Sequence, residues 1–219
     1  MHSVSYGSFM YADDLILLAP SVAELNAMVK VCCGELEAIN LKLNTQKSCC
    51  LRIGKNYFIN CLSIPTLHGS IPWVKEGKYL GLTLVCGIRF KISFASTKCK
   101  FYSCFNELYS KLGCNNLDLS VIVHLLQTVA IPILMYAMES LNLNKSELNS
   151  LEFTLSRALY KIFKVSGVEN IKCCMDAYGI HGITKAIATK KSAFLHRLAD
   201  INNINLNNIM LGSGMSHNC

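Results

Sequence analysis

The chain has 219 residues, is 52% hydrophobic and 16% charged, and carries a net charge of +7. That composition excludes an intrinsically disordered chain and leaves room for a sizeable core in one or two domains. The basic excess sits mainly in the first hundred residues, with 11 basic and 6 acidic side chains, a balance that suits a polyanionic partner without demanding one.

The first pattern is "SVSYGSFM" and "LILLA" flanking Tyr11-Ala12-Asp13-Asp14. Both runs are apolar and too short for helices, so they read as arms of a tight β-hairpin. Two adjacent carboxylates repel, and burial would worsen that. Water at a turn relieves the pair, and so does a divalent cation. Mg²⁺ takes oxygen ligands and usually only one or two carboxylates, with waters and substrate phosphates completing its shell. From these residues alone a surface turn with solvated aspartates is the favoured reading; the alternative is a metal site at Asp13 and Asp14, with Tyr11 bracing a sugar or base.

Ser21 with Glu24 forms a capping box. Leu25, Met28, Val29, Cys32, Cys33, Leu36 and Ile39 recur at three and four, which predicts an amphipathic helix over 21–39. Leu41 and Leu43, then Cys49, Leu51 and Ile53, alternate with polar residues around a turn at Asn44-Thr45, which predicts two short strands. "IPWVKEGKYLGLTLV" predicts a further hairpin with its turn at Glu76-Gly77 and Gly81 interrupting the second arm. One helix packed on a small antiparallel sheet is the economical assembly.

From residue 93 the period becomes helical. Phe101, Tyr102, Phe105, Leu108, Tyr109 and Leu112 form a stripe that stops at Gly113. The segment 119–138 has the length of a membrane span, but Ser120, His124, Gln127 and Thr128 line one face and basic anchors are missing. It reads as a mostly buried helix over 118–141, kinked at Pro132, where an interior proline costs ~3 kcal/mol. Within it Met135, Tyr136 and Met138 are expected in the core. A helix capped by Asn144 and Glu147 follows to Gly167, then a short piece near 172–178 and a last helix over 184–199. That helix carries Lys185, Lys190, Lys191 and Arg197. This basic face, with Lys98 and Lys100, reads either as ordinary solvated lysines, the slightly favoured reading, or as a holder of nucleic-acid phosphates, in binding that would fall steeply with salt. The Asn-rich tail 201–219 is expected to fray.

Twelve cysteines show no Cys-x-x-Cys or His-x(3–5)-His spacing, which argues against a structural zinc site. No signal peptide is recognisable. Free thiols acting as small apolar fillers, in an intracellular cytoplasmic or nuclear protein, is the expectation.

YADD between two apolar arms resembles the catalytic hairpin of reverse transcriptases. "LAPSVAELNAMVKVCCGELEAINLKLNTQKS" resembles the helix and loop that follow it in non-LTR (LINE-type) retrotransposon polymerases. "KYLGLTL" resembles their next, primer-gripping hairpin. "SRALYKIFKV", "AYGIHGI" and "KSAFLHRLAD" resemble their thumb and connecting region. The resemblance implies an α+β fold. Its partial palm, residues 1–88, holds antiparallel hairpins and one packed helix, and its all-helical thumb and connection spans 89–200. It implies an RNA-directed DNA polymerase using Mg²⁺, an RNA template, a DNA primer and dNTPs, with no membrane. Asp13 would be the principal metal ligand and Asp14 its support. Tyr11 would lie beneath the primer terminus. Lys47 would serve the leaving pyrophosphate as an acid, and Lys78, Tyr79, Leu80 and Gly81 would position the primer strand.

Members of that family carry another metal-binding aspartate and a fingers region upstream of the hairpin, whereas the ten residues before Tyr11 hold no acid. Positioning and charge neutralisation are nearly all that phosphoryl transfer needs from protein. The expectation is therefore a polymerase fragment that does not polymerise DNA alone. Two alternatives stand beside it: a nucleic-acid-binding remnant without catalysis, and a helical membrane or scaffold protein with a chance YADD.

Overall fold

Ser21 sets the first helix. Its extended backbone (φ −137°, ψ 158°) turns the chain, its hydroxyl accepts from the Glu24 amide at 3.2 Å, and it donates to the Glu24 carboxylate at 3.1 Å. This satisfies one of the free amides of the first turn. In this computed structural model, which describes residues 7–113 and 118–200, that helix is α1, Val22–Ala38. The tail expected to fray lies outside the described residues. The protein is mixed α and β, with three small antiparallel sheets and seven α-helical segments among the described residues. It divides into two units, 1–96 and 97–219.

In the first unit β1 (Ser8–Tyr11) pairs with β2 (Asp14–Leu17), as the sequence predicts. β3 (Ile64–Thr66) and β4 (Gly69–Ile71) form a second ribbon that the sequence reading missed. β5 (Glu76–Tyr79), β6 (Leu82–Val85) and β7 (Lys91–Ser93) form a three-stranded sheet in that order. The core gathers Val29 and Cys33 from α1 with Cys50, Ile64 and Ile71, and Leu17, Leu25, Leu43 and Trp73 pack around it. One helix over short strands is thus the architecture of this unit.

Two expectations need correction here. The turn of the β5–β6 hairpin is at Leu80-Gly81, not Glu76-Gly77, because Gly77 lies inside β5 opposite Leu84. Gly77 is required there for space: a Cβ would come within 2.9 Å of Cys49 Sγ and 3.1 Å of Leu51 Cδ1. The segments at 41–43 and 49–53 are not strands, and 49–53 carries only isolated parallel bridges, Cys50 to Trp73 and Ile53 to Gly87. Their partners lie far along the chain, so local alternation could not form a ladder. The turn expected at Asn44-Thr45 is present, at residues 45–47.

The second unit is helical: α2 (Ala95–Gly113), α3 (Leu119–Leu125), α4 (Ile131–Leu134), α5 (Lys145–Phe163), α6 (Val168–Ala177) and α7 (Ile183–Asp200). The single kinked helix expected over 118–141 is instead broken. A π-helical turn, Leu126–Ala130, precedes α4, and a 3₁₀ turn, Met138–Ser140, follows it. Pro132 offers no amide to continue the ladder, and wider π spacing just before it absorbs the missing bond. Ala137, at φ 59°, then ends the run. The polar stripe is as expected, with Ser120, His124 and Thr128 exposed and Ile122, Val123, Leu126, Ala130 and Leu134 buried. Met135 and Met138 are core, but Tyr136 is exposed. Among the described residues no helix is long and apolar enough to cross a membrane. Asn144 and Glu147 close a full capping box on α5, which ends at Phe163, with Lys164 left-handed (φ 54°), rather than running to Gly167.

The ten described cysteines are free thiols. Cys33 and Cys50 fill core space as expected, whereas Cys49, Cys99 and Cys173 are exposed.

Candidate functional site

The register of the first hairpin decides where the two acids sit. Tyr11 pairs with Asp14, so Ala12 and Asp13 are the two residues of the turn. Ala12 alone of these has positive φ, 50°, at the first position of a two-residue turn, where hairpins that match the right-handed twist of paired strands take a positive φ. Asp13 is therefore at the tip and Asp14 opens β2, both exposed. Neither has a hydrogen bond or ion pair from another side chain among the described residues. Their oxygen lone pairs face water, which is how adjacent like charges are tolerated. Tyr11 stands beside them, 67% exposed.

The second hairpin has the same plan. Leu80 (φ 45°) and Gly81 (φ 79°) are its two turn residues, the type I′ pattern that requires positive φ twice. Lys78 and Tyr79 precede them on β5, Lys78 exposed and Tyr79 half-buried. Lys47 lies in the third turn, where its amide donates to Asn44 Oδ1 at 3.1 Å and its side chain is exposed. The three groups occupy separate elements, β1–β2, β5–β6 and the loop at 45–47, and among the described residues no hydrogen bond or ion pair joins them.

The donor chemistry fits Mg²⁺ in one respect. Two unpaired carboxylates at a turn match the number that a hydrated Mg²⁺ takes from protein. Among the described residues no group of three or more His, Cys, Asp or Glu side chains is placed to hold a metal.

In the helical unit Lys98 and Lys100 lie on α2 and Lys190 and Lys191 on α7. Lys98 Nζ donates to Ser150 Oγ at 2.5 Å, and Lys191 donates to Leu141 O at 3.2 Å and Asn142 Oδ1 at 2.7 Å. Both ammonium groups therefore also hold neighbouring segments. Lys100 and Lys190 are exposed.

Another cluster, with no motif to mark it in the sequence, lies in the helical unit. A hollow of about 340 Å³ between α2 and α5 is lined by Tyr102, Phe105, Asn106, Arg157, Ala158 and Lys161. Lys161 Nζ sits 4.7 Å from the Tyr109 ring centre and 5.6 Å from that of Phe105, and it donates to Asn106 Oδ1 at 3.1 Å. The Arg157 guanidinium lies 5.8 Å over Phe153. The signal was the i, i+4, i+8 series Phe153, Arg157, Lys161, which reads in sequence as an ordinary polar face. Comparisons with protein-family models, with curated proteins and with solved structures find no match to this chain.

Proposed function

We infer that this chain is the palm-hairpin and thumb portion of a reverse transcriptase, a retrotransposon-type RNA-directed DNA polymerase. The observation that carries the reading is the hairpin tip: two unpaired carboxylates, Asp13 on a two-residue turn and Asp14 on the strand residue that follows, beside an exposed tyrosine. A tight turn fixes the carboxylate backbone, and metal-assisted phosphoryl transfer needs such fixity. Asp13 and Asp14 would hold Mg²⁺, which when bound supplies charge neutralisation at the reacting phosphates. Tyr11 would support the primer end. Lys47, on an exposed turn, would donate a proton to the departing pyrophosphate, and Lys78 to Gly81 would steady the primer backbone.

Two carboxylates do not complete a two-ion site, so the chain by itself is expected to show background primer extension on an RNA template with Mg²⁺ and dNTPs. Asp13→Asn should leave that background unchanged. Metal binding is tested separately with Mn²⁺, whose paramagnetism broadens nearby NMR signals. Broadening should centre on Tyr11 to Leu15 and disappear in Asp13→Asn. Broadening spread evenly over surface acids would end the reading. Nucleic-acid binding without chemistry is the second reading, and it is favoured by the cations and rings that meet between α2 and α5.

A further inference from the structure

We propose that the groove between α2 and α5 is a docking site for single-stranded nucleic acid, with phosphates on Arg157 and Lys161 and a base stacked at Phe153. This deepens the nucleic-acid reading and depends on neither the hairpin carboxylates nor a metal.

Charge supports it first. The two helices carry three acids, and each is engaged. Glu107 pairs with Lys111 at 2.6 Å, Glu147 belongs to the capping box, and Glu152 accepts from the Thr184 amide and hydroxyl at 3.0 and 3.2 Å. Arg157 and Lys161 are exposed and have no carboxylate partner among the described residues. Lys98, on the same pair of helices, meets only a hydroxyl. The groove is therefore a locally uncompensated cationic strip, and its natural complement is a line of phosphates.

Aromatic placement decides which polyanion. Phe153 is 61% exposed, and Arg157 lies over its ring. A ring and a planar guanidinium together make a stacking platform for an unpaired base, a sequence-tolerant contact. A duplex keeps its base faces covered and would leave this platform unused. The hollow of about 340 Å³ is at the small end of ligand clefts. It takes one nucleotide unit, with the rest of the strand lying along the helices. An acidic peptide would answer the charge but not the exposed ring.

The test is fluorescence anisotropy of the whole chain with a labelled oligo-dT strand, its duplex form and a polyglutamate of matched charge. Wild type should bind the single strand best. Arg157→Gln with Lys161→Gln should weaken it at least tenfold and reduce the salt slope by about 0.7 per cation removed. Phe153→Leu should weaken the single strand roughly fivefold or more and leave the duplex unchanged, and Phe153→Trp should restore binding. These side chains are at the surface, and an unchanged helical CD signal confirms that each variant is folded. Undiminished single-strand binding by the folded variants would place the site elsewhere and overturn the groove alone. No binding of any oligonucleotide by wild type would overturn the nucleic-acid reading as well. Equal binding of polyglutamate would make the strip a peptide site and end the proposal.

Discussion

The hairpin unit and the helical unit handle apolar surface in opposite ways. In the helical unit Phe101, Leu134, Met138, Leu151, Leu155, Leu159 and Ile183 are fully buried. In the hairpin unit Ile64 alone among the described residues is buried to that depth, and Phe9, Met10, Tyr11 and Leu15 of the first ribbon are all exposed. The cause is geometric. Helices such as α2 and α5, 19 residues each, can bury a whole stripe against several neighbours. A four-residue, two-stranded ribbon has two faces and two edges, and α1 touches only the β2 arm to any extent. A hydrophobic sequence is thus no measure of burial, and the apolar face left on β1–β2 is a liability to association.

The sharpest way to break this contrast is to truncate one leucine in each unit. Leu155→Ala should cost about 2–5 kcal/mol of stability in denaturant unfolding, through lost burial and a residual cavity. Leu15→Ala, on the exposed ribbon, should stay within about 0.5 kcal/mol. Similar losses would mean that the ribbon is covered in solution.

Alkaline titration probes the hairpin unit's own core. Burial, and secondarily the neighbouring Cys49 thiol, push the Cys50 thiol up to about 11 from an ordinary 9.0. The folded state then holds a proton that the unfolded chain releases. This thiol's contribution to stability is constant below about pH 8 and is lost as pH rises from about 9 to 11, on the order of 2 kcal/mol after discounting for partial solvent screening. Cys50→Ala should flatten the part of that slope due to this thiol. An unchanged slope would show that Cys50 is wetter than its position in the core implies.

Legibility followed the range of the interactions. Ser21 with Glu24 and Asn144 with Glu147 were readable because a cap is settled within four residues. The YADD hairpin was readable because its arms and turn are contiguous. Gly77 misled because its smallness answers to Cys49 and Leu51, over twenty residues earlier in the chain. The turn went unseen because Leu80 occupies a left-handed position where turn grammar favours Asn or Gly. Residues 49–53 alternate like a strand, yet their bridges go to Trp73 and Gly87, and alternation says nothing of partners. In the sites the carboxylates announced themselves. Arg157 and Lys161 did not, since only the packing of α2 on α5 turns a polar face into a groove.

A smaller effect lies within the helical unit, where α5 caps α7 from outside. Glu152 Oε2 takes the Thr184 amide and hydroxyl, and a Cβ on Gly182 would come within 2.8 Å of Glu152 Oε1. Glu152→Ala should cost about 0.5–2 kcal/mol, the usual value of a helix cap. Gly182→Ala should displace the same carboxylate, so the double variant should lose less than the sum of the two. Strict additivity would show that the carboxylate does not hold this helix end.

The smallest change returns to the hairpin unit and runs the other way. Leu80 holds φ 45° at the first position of its turn, a conformation costing a non-glycine residue about 1–2 kcal/mol that Asn tolerates better. Leu80→Asn should therefore raise stability by up to about 1 kcal/mol, seen as a higher unfolding midpoint for the sheet signals. Gly81→Ala, at φ 79°, should lower it. If Leu80→Asn destabilises instead, the leucine side chain holds the tip more than the turn strains it. The contrast between the units would then narrow, because an apolar side chain 36% exposed would be contributing to the hairpin unit's stability.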